Sequence, residues 1–365
     1  MKLTPFLRIA LAVAAAASLI AGLTGGLARL GVVTPVGDTA DMHGAIMASG
    51  FFGTLISLER AVADGRHAAL LVPAISAAGA VLLLSGYAEA TAPLFLVAGL
   101  GLTLLTGLAT WRLPTLFTGL MTAAAALWPL GTLFWMLGRS LPEVGYVWLG
   151  FLILTVVAER IELSRLLRPT LAARVLLVLL VALFALALGL GQPWNGSTLL
   201  SLALAGIALW LLREDIALRT VRTKGFARFS ALLLICGYGW LIVAAASLTL
   251  LPPGEALYGH DAAIHAIAVG FILSMVFAHA PIILPAVTGA PVRYVPVLYL
   301  PAVLLQLAIG ARIVFDAIEA TERLYFPAWL TIAAIVAYVA LLLGTMAVRP
   351  KAIPAQEAAH ALSQP

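Results

Sequence analysis

Residues 41–63, DMHGAIMASGFFGTLISLERAVA, form an apolar stretch that carries ionisable residues towards both ends. Asp41 and His43 open the stretch, and Glu59 and Arg60 stand near its close. About 20 apolar residues in a helix cross a hydrocarbon core roughly 30 Å thick. Ionisable residues within such a span are candidates for function, because placing them in a bilayer is costly. The stretch predicts a transmembrane helix with a polar group at each end.

Similar apolar stretches recur along the whole chain, which is 63% hydrophobic and only 10% charged over 365 residues. Soluble domains carry about 25% charged residues. We therefore predict an all-α polytopic membrane protein of about twelve transmembrane helices, with no separate soluble domain. The predicted spans are 6–28, 41–63, 68–87, 92–111, 115–137, 144–163, 171–190, 197–213, 229–250, 262–287, 294–315 and 325–348.

The basic residues predict the orientation of the chain. Of the 21 Lys and Arg, all but four fall on the side that holds both termini in a twelve-span arrangement; the exceptions are Arg29, Arg139, Arg312 and Arg323. Positive residues stay in the cytoplasm, so both termini are expected to be cytoplasmic in a bacterial-type inner membrane. The net charge of +5 then reflects topology and not nucleic-acid binding. Cys236 is the single cysteine, which excludes an intrachain disulfide and a CxxC motif.

A weak internal repeat suggests how the spans are arranged. GFFGTLISLER (50–60), GFLILTVVAER (150–160) and GFILSMVFAHA (270–280) each place an ionisable residue, Glu59, Glu159 or His279, at the tenth position. We predict three arcs of four helices, with spans 2, 6 and 10 at equivalent inner positions. The repeats would cover 1–113, 114–225 and 226–348 of one domain (1–348), followed by a disordered cytoplasmic tail (349–365). The alternative is chance, since Gly-Phe is common in membrane helices.

The outer polar layer consists of His43 and His265, near the external ends of spans 2 and 10. Two neutral imidazoles on facing helices of a bundle suit the axial positions of a haem iron. Asp41 and Asp261 lie near these ligands, and Asp261, one turn before His265, is placed to orient its second ring nitrogen. A bare metal held by these four residues and His260 is one alternative. Structural or proton-handling histidines are another.

Haem propionates need cationic partners, and two arginines bracket the external connection between spans 11 and 12. Arg312 and Arg323 are placed to bind propionates, since Arg binds carboxylates in bidentate fashion. Alternatively they pair with the neighbouring acids Asp316, Glu319 and Glu322. The eight tryptophans lie mostly near predicted span ends and are interpreted as an interfacial belt.

The inner polar layer lies at the cytoplasmic ends of the same helices. We expect the ion pairs Glu59–Arg60 and Glu159–Arg160, which either anchor the helix ends or take part in a proton relay with His279. His279 precedes two prolines, so we expect span 10 to kink or unwind there. It is a second haem ligand, a relay member or a buried histidine with satisfied hydrogen bonds. In a regular α-helix, His265 and His279 would lie on about the same face.

The pattern resembles the haem–copper oxidase superfamily. His43 in DMHGAIM matches the position of the span-2 haem ligand, and His265 in GHDAAIHAIAVGF is the best match on span 10. The resemblance implies twelve spans in three arcs and a haem near the external side, with Arg312 and Arg323 on its propionates. The copper-ligand histidines of spans 6 and 7 are missing, since no histidine lies between His67 and His260. We therefore expect no copper site.

The smaller, divergent relatives, such as the NnrS family of membrane haem proteins associated with nitric oxide tolerance, are the most similar in character. The resemblance implies a membrane haem protein with a role in redox chemistry, or in respiration or stress that involves nitric oxide or oxygen. A respiratory electron donor would be its partner, and an oxidoreductase-like activity is the only enzymatic one expected. Two other classes stay open. One is a proton- or ion-coupled transporter that uses Glu59, Glu159 and His279, and the other is a structural subunit or assembly factor of a respiratory complex.

Overall fold

A computed structural model describes residues 3–34, 37–164, 169–191 and 195–347. Twelve helices in these ranges are long and apolar enough to cross a membrane, which confirms the predicted polytopic all-α fold. We number them α1 Pro5–Arg29, α2 Ala40–Asp64, α3 His67–Leu84, α4 Ala88–Arg112, α5 Leu116–Met136, α6 Leu141–Ser164, α7 Leu171–Leu190, α8 Gly196–Glu214, α9 Gly225–Leu250, α10 Gly259–Thr288, α11 Pro296–Ala317 and α12 Thr321–Met346. The predicted tail 349–365 lies outside the described residues.

Several helix ends are set by local sequence. Gly65 caps the C-terminus of α2 and Gly289 caps that of α10, with φ of +78° and +75°. Such left-handed caps favour glycine, which has no Cβ to clash. α5 begins at a capping box, in which the side chains of Thr115 and Thr118 each accept from the other's main-chain N–H. The ends therefore fall close to the joints that glycine and proline indicate in the sequence.

The packing of the helices agrees with three arcs. The helices from α3 to α6 pack in succession, and so do those from α7 to α10. α11 packs on α12, α12 contacts α1, and α1 packs on α2. The last helices of the three series, α2, α6 and α10, contact one another. α6 and α2 also have the largest buried shares of the twelve, 78% and 67%. The repeat boundaries at 1–113, 114–225 and 226–348 stay a prediction.

Two of the inner helices contain a π-helical segment, which the sequence did not indicate. Ile46–Gly53 in α2 and Ala266–Leu273 in α10 are both π-helical over eight residues. Each holds its Gly-Phe pair at the fifth and sixth positions, whereas the Gly-Phe of α6 lies in a regular α-helix. The shared face inferred for His265 and His279 therefore loses its basis, because a π-helix does not turn 100° per residue. Such segments occur frequently at functional sites.

Neighbouring helices support the π-helical segment of α2 with polar contacts. Ser76 of α3 donates to the main-chain carbonyl of Ser49 (2.9 Å), and Trp128 of α5 donates to the Ser49 hydroxyl (2.9 Å). Trp128 is fully buried, and Trp148 of α6 is 1% exposed. These two tryptophans therefore belong to the core of the bundle, and the interfacial belt is wrong for them. Their indole N–H groups need buried partners, which neighbouring hydroxyl groups provide.

Candidate functional site

His43 is fixed by a close approach between α1 and α2. Its Nδ1 lies 2.6 Å from the main-chain oxygen of Gly22. Its ring also packs against Gly26, where a Cβ would stand 3.1 Å from the imidazole Cε1. A carbonyl oxygen only accepts hydrogen bonds, so Nδ1 carries the hydrogen and Nε2 keeps its lone pair. A side chain on α1 at position 26 would compete with this ring for space.

His265 has the same arrangement of its ring nitrogens. Its Nδ1 lies 2.9 Å from the main-chain oxygen of Asp261 and 3.2 Å from the Oδ1 of the same residue. Nδ1 is again the donor, and the lone pair is on Nε2. The structure thus places Asp261 beside His265, where an orienting residue was expected.

The two histidines lie at the same end of the bundle. His43 is near enough to His265, Asp261 and Arg29 for their charges to interact. The first turns of α2 and of α10 both contact α6 at this level. Asp41, by contrast, is exposed at the start of α2. The outer layer of the sequence analysis therefore exists as a group of neighbouring side chains, with Asp41 at its margin.

Arg312 of α11 joins this group of side chains by pairing with Asp261. Its Nε and Nη2 lie 2.8 and 2.6 Å from Asp261 Oδ2, and its Nε lies 3.6 Å from Asp316 Oδ1. Arg312 thus pairs with acids, which was the alternative to propionate binding, although Asp261 was not among the acids expected. Arg323 is exposed in the 3-10 turn Thr321–Arg323.

His260 packs against an aromatic residue that the sequence analysis did not single out. The rings of His260 and Tyr146 of α6 are 5.1 Å apart and nearly perpendicular. His260 Nε2 and the Tyr146 hydroxyl are both buried without a hydrogen-bond partner. Across the described ranges, no group of three or more His, Cys, Asp or Glu side chains is placed to hold a metal ion. The bare-metal alternative therefore has no geometric support there.

The inner cluster consists of charged and polar side chains around Arg60 of α2, Arg160 of α6 and His279 of α10. Its contacts differ from those predicted. Arg60 contacts Glu59 (2.6 Å) and also Glu159 of α6 (3.2 Å), so it links two inner helices. Arg160 does not bond Glu159. Its Nε and Nη2 instead lie 2.5 and 2.9 Å from the carboxylate of Asp215. The expected Glu159–Arg160 pair is therefore wrong, because the Arg160 guanidinium is taken by Asp215 and Glu159 pairs with Arg60 of the neighbouring helix.

His279 joins the inner cluster with both ring nitrogens engaged. Its Nδ1 lies 2.7 Å from the main-chain oxygen of Met275, and its Nε2 lies 3.4 Å from Arg160 Nη1. Because Arg only donates, Nε2 accepts and its lone pair is occupied. This geometry favours the buried, satisfied histidine over a metal ligand. α10 does not unwind at Pro281 and Pro285, because it remains α-helical to Thr288.

Asp215 and Tyr238 are members of this cluster that the sequence analysis missed. The Tyr238 hydroxyl of α9 donates to Asp215 Oδ2 (2.9 Å), and the main-chain N–H of Ala217 donates to Oδ1 (2.7 Å). Asp215 directly follows α8 in a stretch rich in arginine, REDIALRTVRTKGFAR. An acid among many basic residues is the only signal in the sequence that could have pointed to it.

The chain was compared with known proteins at the level of families, curated sequences and solved structures. No curated protein and no solved structure matches it. One family profile, described as "Domain of unknown function (DUF8744)", matches residues 8–347, from the first turn of α1 to the end of α12. Because the match covers all twelve helices, the chain belongs to this DUF8744 family.

Proposed function

We propose that this protein is an integral membrane haem protein, with His43 of α2 and His265 of α10 as the two axial ligands. One observation carries the proposal. Both imidazoles are held as Nδ1–H donors to main-chain oxygens, which leaves an Nε2 lone pair on each of two neighbouring inner helices. Metal-ligating histidines have this arrangement, because the second hydrogen bond fixes the ring and raises its basicity.

The donor set fits a haem better than it fits other metal sites. Two neutral imidazoles are a complete axial set for a haem iron, whereas a zinc or copper site needs three or more protein ligands. His279 has no lone pair to offer, and the sulfur of the single Cys236 lies on another helix. A bound haem with two imidazole ligands supplies one-electron transfer.

Several further parts of the proposal rest on the resemblance to NnrS-type proteins. They are a role in redox or in nitric oxide- or oxygen-related respiration or stress, and a respiratory electron donor as partner. A bacterial-type inner membrane with cytoplasmic termini follows from the distribution of basic residues. Arg312 stays a candidate for a propionate, although Asp261 already occupies its Nε and Nη2.

The test is an absorption spectrum of the full chain, purified in detergent with haem supplied and recorded oxidised and reduced. We expect a low-spin haem band that is lost in His43→Ala and in His265→Ala. His279→Ala and His67→Ala serve as matched controls and should keep the band. A colourless wild-type protein, or a band that persists in both ligand variants, would overturn the proposal. Loss of the band in His279→Ala alone would show that the ligand on α10 is His279 and not His265.

One observation favours a second function, proton- or ion-coupled transport. The two π-helical segments interrupt α2 and α10 at matching places, and transporters often build their sites where helices are interrupted. Near the C-terminal ends of α2 and α6, Arg60 contacts both Glu59 and Glu159 and so links these two inner helices. The test is the proton flux that a pH gradient drives across vesicles containing the protein. A flux that is lost in Glu159→Gln and kept in His43→Ala would support transport over haem binding.

A further inference from the structure

Asp316 of α11 is a buried acid whose two oxygens have no donor. Its side chain has 0% exposure, and neither Oδ1 nor Oδ2 has a hydrogen-bond partner. An ionised carboxylate in such a place loses its hydration and gains no hydrogen bond in return, which is costly. Buried carboxyl groups of this kind remain only when a cation or a proton neutralises them.

The nearest cation is already committed to another acid. Arg312 lies one turn before Asp316 and approaches its Oδ1 to 3.6 Å, but it makes its two short hydrogen bonds to Asp261. Two carboxyl groups therefore compete for one guanidinium. If both were ionised, the three side chains together would carry a net negative charge.

Asp316 and Asp261 are neighbours, because Arg312 Nε lies 3.6 Å from Asp316 Oδ1 and 2.8 Å from Asp261 Oδ2, and a small movement would bring the two carboxyl groups into contact. Two carboxylates cannot form a hydrogen bond with each other, because both only accept. A single proton on either carboxyl group supplies the missing donor and removes the excess negative charge. Two acids that share one proton in this way are known from paired active-site carboxylates.

We propose that Asp316 is a proton-binding site: it is a neutral carboxylic acid that donates its hydrogen to the ionised carboxylate of Asp261. Arg312 and Asp261 then form the charged pair, and the group of three is neutral. The remaining charged side chains near this end of α11, Glu319, Glu322 and Arg323, are exposed.

The bound proton lies one carboxylate away from His265. Asp261 contacts His265 Nδ1 through its own Oδ1 and accepts from Arg312 through Oδ2. Release of the proton from Asp316 would therefore add a negative charge behind that imidazole. The inference does not depend on a haem, because it rests on the acids and the arginine alone.

Infrared spectroscopy of the full chain at neutral pH tests the site without any cofactor. A protonated carboxyl group has a C=O stretch that an ionised one lacks, and this band moves in heavy water. We expect the band in the difference spectrum between wild type and Asp316→Asn, and not in the difference spectrum between wild type and Glu322→Gln. The absence of the band from both spectra would overturn the proposal.

A second variant, Asp261→Asn, tests the bound proton if Asp316→Asn does not fold. In Asp261→Asn the competing acid is gone, so Asp316 should ionise and pair with Arg312, and the band should disappear although Asp316 is present. A band that persists unchanged in Asp261→Asn would show that another acid carries the proton. Loss of haem from either variant leaves the infrared result unaffected, so the two proposals can fail separately.

Discussion

Arg160 and Asp215 form the most buried ion pair of the described chain, with side-chain exposures of 5% and 2%. Removing two charges from water costs several kcal/mol per ion, and close contact alone rarely offsets this. Here Tyr238, the main chain of Ala217 and His279 supply further hydrogen bonds to the pair. The pair is tolerated because nearly every donor and acceptor in it has a partner. It fixes α6 against α9 and the segment after α8.

Removing the arginine should therefore be more harmful than removing a hydrogen bond. Arg160→Gln leaves Asp215 charged and buried, and we expect a loss of about 3–5 kcal/mol in the free energy of unfolding. Tyr238→Phe removes one hydrogen bond to the same charged carboxylate and should cost about 1.5–3 kcal/mol. Unfolding in detergent, followed by circular dichroism, measures both.

The matched control for this comparison is Arg213→Gln. Arg213 also pairs with an acid, Glu214, but its side chain is 85% exposed, so the change should have little effect. If Arg160→Gln unfolds no more readily than Arg213→Gln, the buried pair does not stabilise the fold as described.

At the scale of residues, the sequence predicted which side chains lie together in the inner cluster better than it predicted their partners. Glu59, Glu159 and His279 were placed in one layer; Arg60 contacts both glutamates, and His279 contacts Arg160, the residue after Glu159. The partner of Arg160 was missed because Asp215 is 55 residues away in the chain. Residue spacing indicates the face of a helix, but it does not indicate which distant segment packs there.

At the scale of elements, each of the two π-helical segments packs closely against an indole ring. A Cβ at Gly53 would stand 2.5 Å from Cζ2 of Trp128, and a Cβ at Gly270 would stand 2.5 Å from Cγ of Trp240. Trp240 is held in turn by Gln306 (2.6 Å), which donates to Ser274 just after the segment in α10 (3.0 Å). In both helices, a missing side chain makes room for a tryptophan of a neighbouring helix.

Adding a methyl group at either glycine should force these helices apart. We expect Gly53→Ala and Gly270→Ala to lower the free energy of unfolding by about 1–3 kcal/mol, as overpacking of a filled core does. Gly239→Ala is the matched control on α9, because nothing lies within 4 Å of its added Cβ. There alanine should be neutral or slightly stabilising in a helix. Equal effects in all three variants would contradict the close packing.

The sequence could not have indicated these π-helical segments. Gly-Phe occurs in α2, α6 and α10, but only the first and third are π-helical. The difference lies in contacts from other helices, such as Ser76 on the Ser49 carbonyl and Trp128 on the Ser49 hydroxyl. A pattern in one segment does not contain that information. The outer histidines, by contrast, were found from the sequence because an ionisable residue in an apolar span is rare.

At the scale of the whole molecule, the apolar stretches of the sequence predicted all twelve helices, with every end within four residues of the helix that the structure has. The predicted span 171–190 coincides with α7, and 197–213 differs from α8 by one residue at each end. Apolar length is a property of single segments, so it needs no knowledge of tertiary contacts. The grouping into three arcs needed the repeat of Gly-Phe and an ionisable residue, which marks the inner helices that the packing brings together.

The distribution of basic residues predicts which side of the membrane each loop lies on, and single-cysteine labelling tests this prediction. Cys236 is the only cysteine, so Cys236→Ala gives a background without thiols. In this background we expect Glu322→Cys, in the first turn of α12, to react with a membrane-impermeant maleimide in intact cells. Lys224→Cys, before α9, should react only after the cells are made permeable, because basic loops stay in the cytoplasm. Both positions are exposed, so equal labelling in permeable cells is the control. Labelling of Lys224→Cys but not Glu322→Cys in intact cells would invert the topology and place His43 and His265 at the cytoplasmic face.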